Sequence, residues 1–158
     1  MRRVEPRWLS RLAVDAIHLE QLREHGGLPG VRDEHALESA LARPQQKWHY
    51  DEHADIALLA AAYGFGVVQS HPYRDGNKRA GFLALATFLE LNGQELTASE
   101  AEVVSEILAL ASGRVSESEL ADWIRQRISA HPRRPRAASK PSKASPSSKT
   151  SHRRRVRR

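Results

Sequence analysis

The segment Ser70-His71-Pro72-Tyr73-Arg74-Asp75-Gly76-Asn77-Lys78-Arg79 brings together a base, a carboxylate, a glycine turn and cationic donors. Imidazole titrates near neutral pH, so His71 is the natural group to accept a proton from an attacking hydroxyl. Asp75 offers a hard carboxylate of the kind Mg²⁺ takes, one or two at a time, together with phosphate oxygens. Asp75, Gly76 and Asn77 precede an apolar periodic run and so open a helix. Its first N–H groups and the positive end of its dipole then make an anion site. Gly76 allows a left-handed turn and close approach of a phosphate to the backbone. Asn77 can cap that helix or donate to a phosphate oxygen. Lys78 and Arg79 add positive charge, Arg79 with a fork that can hold two oxygens at once.

Each of these residues has an ordinary reading when taken alone. His71 can be a partly buried structural histidine, Gly76 a turn glycine, Asn77 or Asp75 a helix cap, and Lys78 with Arg79 a solvated helix face. What favours chemistry is their occurrence together at the start of a buried helix, in a connection longer than a helix hairpin needs.

The elements that must position this segment are all helices. Leu9, Leu12, Ala13, Ala16, Ile17, Leu19 and Leu22 keep the 3.6-residue period and stop at Gly26-Gly27. Asp33 is suited to cap a second helix carrying Ala36, Leu37, Ala40 and Leu41, which Pro44 should end. From His53 to Ser70 the chain is apolar on most sides, as is Asn77 to Leu91, which closes at Asn92-Gly93. These two read as the buried central helices, with the polar segment between them. Amphipathic helices follow at about Ser99–Ala111 and Ser116–Ile128, and no run alternates long enough to predict a strand. The fold class is therefore all-α.

Composition divides the chain near residue 130. Residues 1–130 hold 14 Lys+Arg against all 19 Asp+Glu, a balance of −5, while residues 131–158 hold 11 Lys+Arg and no acid. The basic character belongs to the tail, and a mildly acidic folded part is unlike a nucleic-acid-binding core. Val156 is the one large aliphatic residue beyond 130, so the tail is expected to be disordered. Its charge would serve solubility or salt-dependent contact with nucleic acid, without base stacking because no aromatic residue is interleaved. There are no cysteines, which removes disulfides and thiolate chemistry. No stretch reaches the roughly 18 apolar residues of a membrane span. The charged start, Met1-Arg2-Arg3, lacks the apolar run of a secretory signal, so a cytoplasmic protein is expected.

The segment His71 to Arg79 resembles the Fic/Doc signature, His-x-Phe-x-Asp/Glu-Gly/Ala-Asn-x-Arg. The similarity extends to His18 and Leu22, to Gly26-Gly27-Leu28-Pro29-Gly30-Val31-Arg32-Asp33, to Leu37 through Pro44, and to Phe88 through Gly93, covering roughly residues 5–128. It implies a Fic-like helical bundle over 1–130 of the death-on-curing (Doc) type. It also implies roles: His71 as base, Asp75 holding Mg²⁺ on ATP, Gly76 and Asn77 in the phosphate cradle, Lys78 and Arg79 balancing charge. Adenylyl-transferring Fic proteins usually carry Gly where this chain has Lys78 and a second Arg where it has Phe82. Doc-like toxins carry Lys and an apolar residue there and bind the nucleotide in the reversed sense, so these positions favour phosphorylation over adenylyl transfer. Tyr73 replaces the usual Phe and needs a partner for its hydroxyl. No Ser or Thr in residues 1–130 has Glu four positions on, so the inhibitory Ser/Thr-x-x-x-Glu pattern is missing. The resemblance then implies inhibition in trans by an antitoxin, and a translation factor, elongation factor Tu, as the modified protein. An idle binding module with a nucleic-acid-associating tail is the alternative from another class.

Overall fold

The computed structural model describes residues 2–130 of the chain. Six helices and one two-stranded ribbon follow in the order α1 (Arg11–His25), α2 (Glu34–Tyr50), α3 (Ile56–Ser70), α4 (Asn77–Leu91), β1 (Gln94–Leu96), α5 (Glu100–Ala111), α6 (Glu117–Arg125) and β2 (Ile128–Ala130). The expected disordered tail, and any nucleic-acid contact it makes, lie outside the described residues.

Helix α3 is the hub, packed against α2, α4 and α6. Its sequence, IALLAAAYGFGVVQS, is small or apolar on every side, and ten of its fifteen residues are buried. Small residues bring neighbouring backbones close. A Cβ added at Gly66 would stand 3.2 Å from Ala40 of α2, and one added at Gly81 of α4 would meet Val68 Cγ2 at 2.6 Å. Around this seam Tyr63, Phe88, Leu37, Leu59, Leu85 and Leu120 are fully or almost fully buried. The motif segment therefore runs between two closely packed helices.

Side chains cap five helices, each with an oxygen accepting from a first-turn N–H: Ser10, Asp33, Asp55, Ser99 and Ser116. Ser99 with Glu102 and Ser116 with Glu119 complete reciprocal capping boxes. Helix α4 alone among the six has none: its cap is Gly76 at φ 74°, which brings no side chain.

Three expectations need correction. Pro44 does not end α2, which continues to Tyr50. A proline inside a helix costs about 3 kcal/mol, but here it is buried and tertiary contacts hold the helix on both sides of it. Arg43 and Lys47 both grip Glu117 of α6 at 2.5 Å, and Trp48 meets Trp8 edge to face at 6.5 Å. The third helix begins at Ile56 rather than His53, because Asp55 accepts from the Leu58 N–H and caps it. The last helix stops at Arg125, and Ile128 belongs to β2, paired antiparallel with β1 in register Leu96↔Ile128. Strands of three residues are too short to show alternation in the sequence.

Candidate active site

The connection from α3 to α4 is held by four arms, and their geometry decides which polar groups stay available. Asn77 supplies the first arm. Its side chain is 8 % exposed, with Oδ1 accepting from the Tyr73 N–H and Nδ2 donating to the Tyr73 carbonyl, both at 2.9 Å. The amide thus closes the loop on itself instead of capping α4. Its backbone N–H, at the start of α4, has no partner among the described residues.

Tyr73 is the second arm, buried with its ring stacked on His18 at a centroid distance of 3.7 Å and 9° between planes. Its hydroxyl donates to Asp15 Oδ1 at 2.8 Å, so the tyrosine found in place of phenylalanine has its partner. Burial, followed by the Asp15 carboxylate that accepts this bond, holds the phenol well above its ordinary pKa, so it stays protonated. Asp15 is in turn fixed by Arg11, which forks onto Glu34 at 2.7 and 3.0 Å. Helix α1 thereby anchors the loop from below.

His18 is the third arm. It is 4 % exposed, and its Nε2–H donates to the Asp75 carbonyl at 2.8 Å. The sequence singled out His18 only as part of a similarity. A lone histidine on the inner face of α1, where the period demands burial, was the available signal.

The fourth arm is the turn between α1 and α2. Val31 bridges Tyr73, Arg74 N donates to the Gly30 carbonyl at 3.1 Å, and Arg32 N donates to the Pro72 carbonyl at 2.7 Å. The Arg32 guanidinium donates to the carbonyls of Ser70 and His71 at 3.0 and 2.8 Å. Residues Gly26 to Asp33 thus form one wall of the loop, a contact that no local periodicity announces.

Between these arms the groups singled out for chemistry meet in one place. His71, Asp75, Gly76, Asn77, Lys78 and Arg79 all line a cleft of about 790 Å³, closed on the far side by Val103, Val104 and Leu108 of α5. His71 is exposed, and it is the one non-glycine residue with positive φ among the described residues, at 47°. Left-handed backbone at such a residue costs roughly 1–2 kcal/mol, and strain of this kind gathers at functional sites. Lys78 and Arg79 are exposed and form no ion pair among the described residues. Asp75 is exposed at the cleft, with Oδ1 accepting from Gly76 N–H at 2.8 Å and Oδ2 from Leu28 N–H at 3.3 Å. Gly27 makes room for that carboxylate, since a Cβ there would lie 2.8 Å from Oδ2.

The Asp75 oxygens each keep a lone pair beyond these bonds, so the carboxylate can serve one coordination position. No cluster of three His, Cys, Asp or Glu side chains suited to a metal occurs among the described residues. The donor set therefore fits Mg²⁺ carried largely by phosphate oxygens, and no cage made by the protein alone.

The chain is similar to known proteins over the region that holds the cleft. A family model described as the Fic/DOC family matches residues 8–89, which take in the α1–α2 turn, the loop and most of α4. The chain is 31 % identical over 111 residues to the Protein kinase doc of Escherichia phage P1, covering 70 % of this chain and 87 % of that protein. It is 39 % identical over 74 residues to the Toxin Doc of Mycolicibacterium smegmatis, covering 46 % and 57 %.

Proposed function

The chain belongs to the Fic/DOC family, and from that membership we propose that it is a growth-arresting toxin. It transfers the γ-phosphate of ATP to a Thr or Ser hydroxyl of a protein in the translation apparatus. The observation that carries this reading is the uncapped start of α4. Asn77, Lys78 and Arg79 begin the one helix without a side-chain cap, in the same cleft as an exposed imidazole. Side chains satisfy that end in the other five helices, so here an anionic ligand is the natural partner for the open N–H groups.

The groups act as follows. The triphosphate lies against the N–H groups of Asn77, Lys78 and Arg79, and the cations Lys78 and Arg79 neutralise its charge. His71 accepts the proton of the incoming hydroxyl, whose oxygen bonds to the γ-phosphorus. The bond from that phosphorus to the β–γ bridging oxygen breaks, and ADP leaves. Asp75 would hold Mg²⁺, which when bound draws charge from the phosphate oxygens. In a loose transition state of this kind, catalysis is mostly positioning and electrostatics, which suits a loop fixed by four arms. Phe82 lines the cleft one turn beyond Lys78. An apolar residue there, with Lys78 before it, supports transfer of a phosphoryl rather than an adenylyl group.

The relatives named as a toxin and as a protein kinase support the same reading, and with it a cognate antitoxin acting in trans. Elongation factor Tu is the proposed target. Incubating it with the protein and MgATP, then measuring its intact mass, tests the assignment. One added phosphate is expected. An added adenylyl group would make this an adenylyltransferase, and an unmodified factor would remove it as the target.

A further inference from the structure

The end of α3 raises a question that the phosphate site leaves open: what keeps His71 in a left-handed conformation at φ 47°, ψ 55°? The usual left-handed helix end is a glycine, secured by N–H bonds from that residue and the next back to the last turn. Neither condition is met here. His71 has a side chain, Pro72 has no N–H to give, and proline biases the residue before it toward extended backbone. The His71 cap also shows no backbone N–H bond into α3, unlike the caps of α1, α2, α5 and α6.

We propose that Arg32 is the positioning residue that holds this turn, and through it the direction of the His71 imidazole. This deepens the proposed function, since it concerns the base of that same site. The guanidinium places Nε on the His71 carbonyl at 2.8 Å and Nη2 on the Ser70 carbonyl at 3.0 Å. Its own backbone N–H and that of Asp33 take the Pro72 carbonyl at 2.7 and 3.1 Å. Three successive carbonyls are thereby held from one dipeptide, and a cation sits at the negative end of α3. Arg32 does not line the cleft, so it acts on the reaction only through His71. A forked guanidinium is needed because two carbonyls must be held at a fixed separation, which a lysine ammonium cannot do in the same way.

The test uses the full chain with Arg32→Ala and Arg32→Lys. The first readout is the Cα and Cβ chemical shifts of His71, which report φ and ψ whether or not the protein turns over. The second is phosphoryl transfer, with kcat and KM for ATP measured separately, alongside the melting temperature. Both variants are expected to move the His71 shifts. Arg32→Ala should lower kcat by roughly 10–100-fold, as a base displaced by about an ångström does, with KM nearly unchanged and the melting temperature lowered by the loss of the two guanidinium bonds. Arg32→Lys should recover only part of that loss. If Arg32→Ala does not fold, the His71 shifts of Arg32→Lys decide: displaced shifts support the proposal, unmoved ones overturn it. Full activity in a folded Arg32→Ala protein would also overturn it. Displaced shifts in a protein whose wild type transfers nothing would support the role of Arg32 while removing the kinase reading.

Discussion

Removing the His71 ring should separate chemistry from folding, because the ring is exposed and forms no hydrogen bond among the described residues. His71→Ala is expected to lower phosphoryl transfer by at least about 10²-fold while leaving the melting temperature and far-UV spectrum close to wild type. Tyr73→Phe should do the reverse. It deletes a bond to Asp15 but leaves the stacked ring, so stability should fall by roughly 0.5–1.5 kcal/mol with transfer retained; denaturant titration beside a rate assay checks both. The residue types at the site were legible because His71, Asp75, Lys78 and Arg79 are odd choices between two apolar helices. The Asn77 amide was not, since a cap, a phosphate ligand and a loop clasp all call for the same side chain. Only the 2.9 Å bonds to Tyr73 distinguish them. His18 and Arg32 stood out only as part of a similarity, and their roles were not legible because their partners lie 57 and 39 residues away.

At the level of elements, the site depends on how closely α3 and α4 approach. Gly81 faces Val68 and the Gly64 carbonyl, and an added methyl would lie 2.6 Å from Val68 Cγ2 and 3.2 Å from that carbonyl. Gly81→Ala is expected to destabilise the protein by about 1–3 kcal/mol, seen as a lower urea midpoint with an unchanged slope. Transfer should suffer as well, because Gly81 lies one turn beyond the N–H groups proposed to bind phosphate. Helix positions were legible from the apolar period and from Asp33, Ser99 and Ser116 as caps. Two boundaries were not. Pro44 reads as a terminator until Glu117, 73 residues later in the chain, is seen to pin the flanking Arg43 and Lys47. The β1–β2 ribbon is likewise a tertiary product, closed by the Thr97 N–H bond to the Arg127 carbonyl at 2.7 Å.

For the whole molecule, charge and pH make separate demands. Asp55 caps α3 and accepts two bonds from Arg125 of α6, at 2.6 and 3.0 Å, tying the hub to the last helix. Burial alone would raise its pKa, but the Arg125 guanidinium and the Leu58 N–H outweigh it and hold the carboxyl below its ordinary value. A depressed folded value means the contribution is fully present above the unfolded pKa of about 3.9 and is lost as pH falls through the folded one. Asp55→Asn should therefore flatten the acid limb of the stability–pH curve below about pH 4, which melting temperatures across that range would reveal. Every residue assigned to chemistry lies between His71 and Arg79, so deleting residues 131–158 is expected to leave melting temperature and transfer rate unchanged. A lost activity would give the basic segment a part in catalysis or target capture.

The most direct measurement of the central claim is label transfer in a translation extract, run in parallel with ATP carrying phosphorus-32 at the γ or the α position. Wild-type protein should move label from the γ position onto a protein band and leave the α label in solution, and His71→Ala should move neither. Label arriving from the α position would contradict phosphoryl transfer. Equal labelling by His71→Ala would contradict the whole assignment of the site.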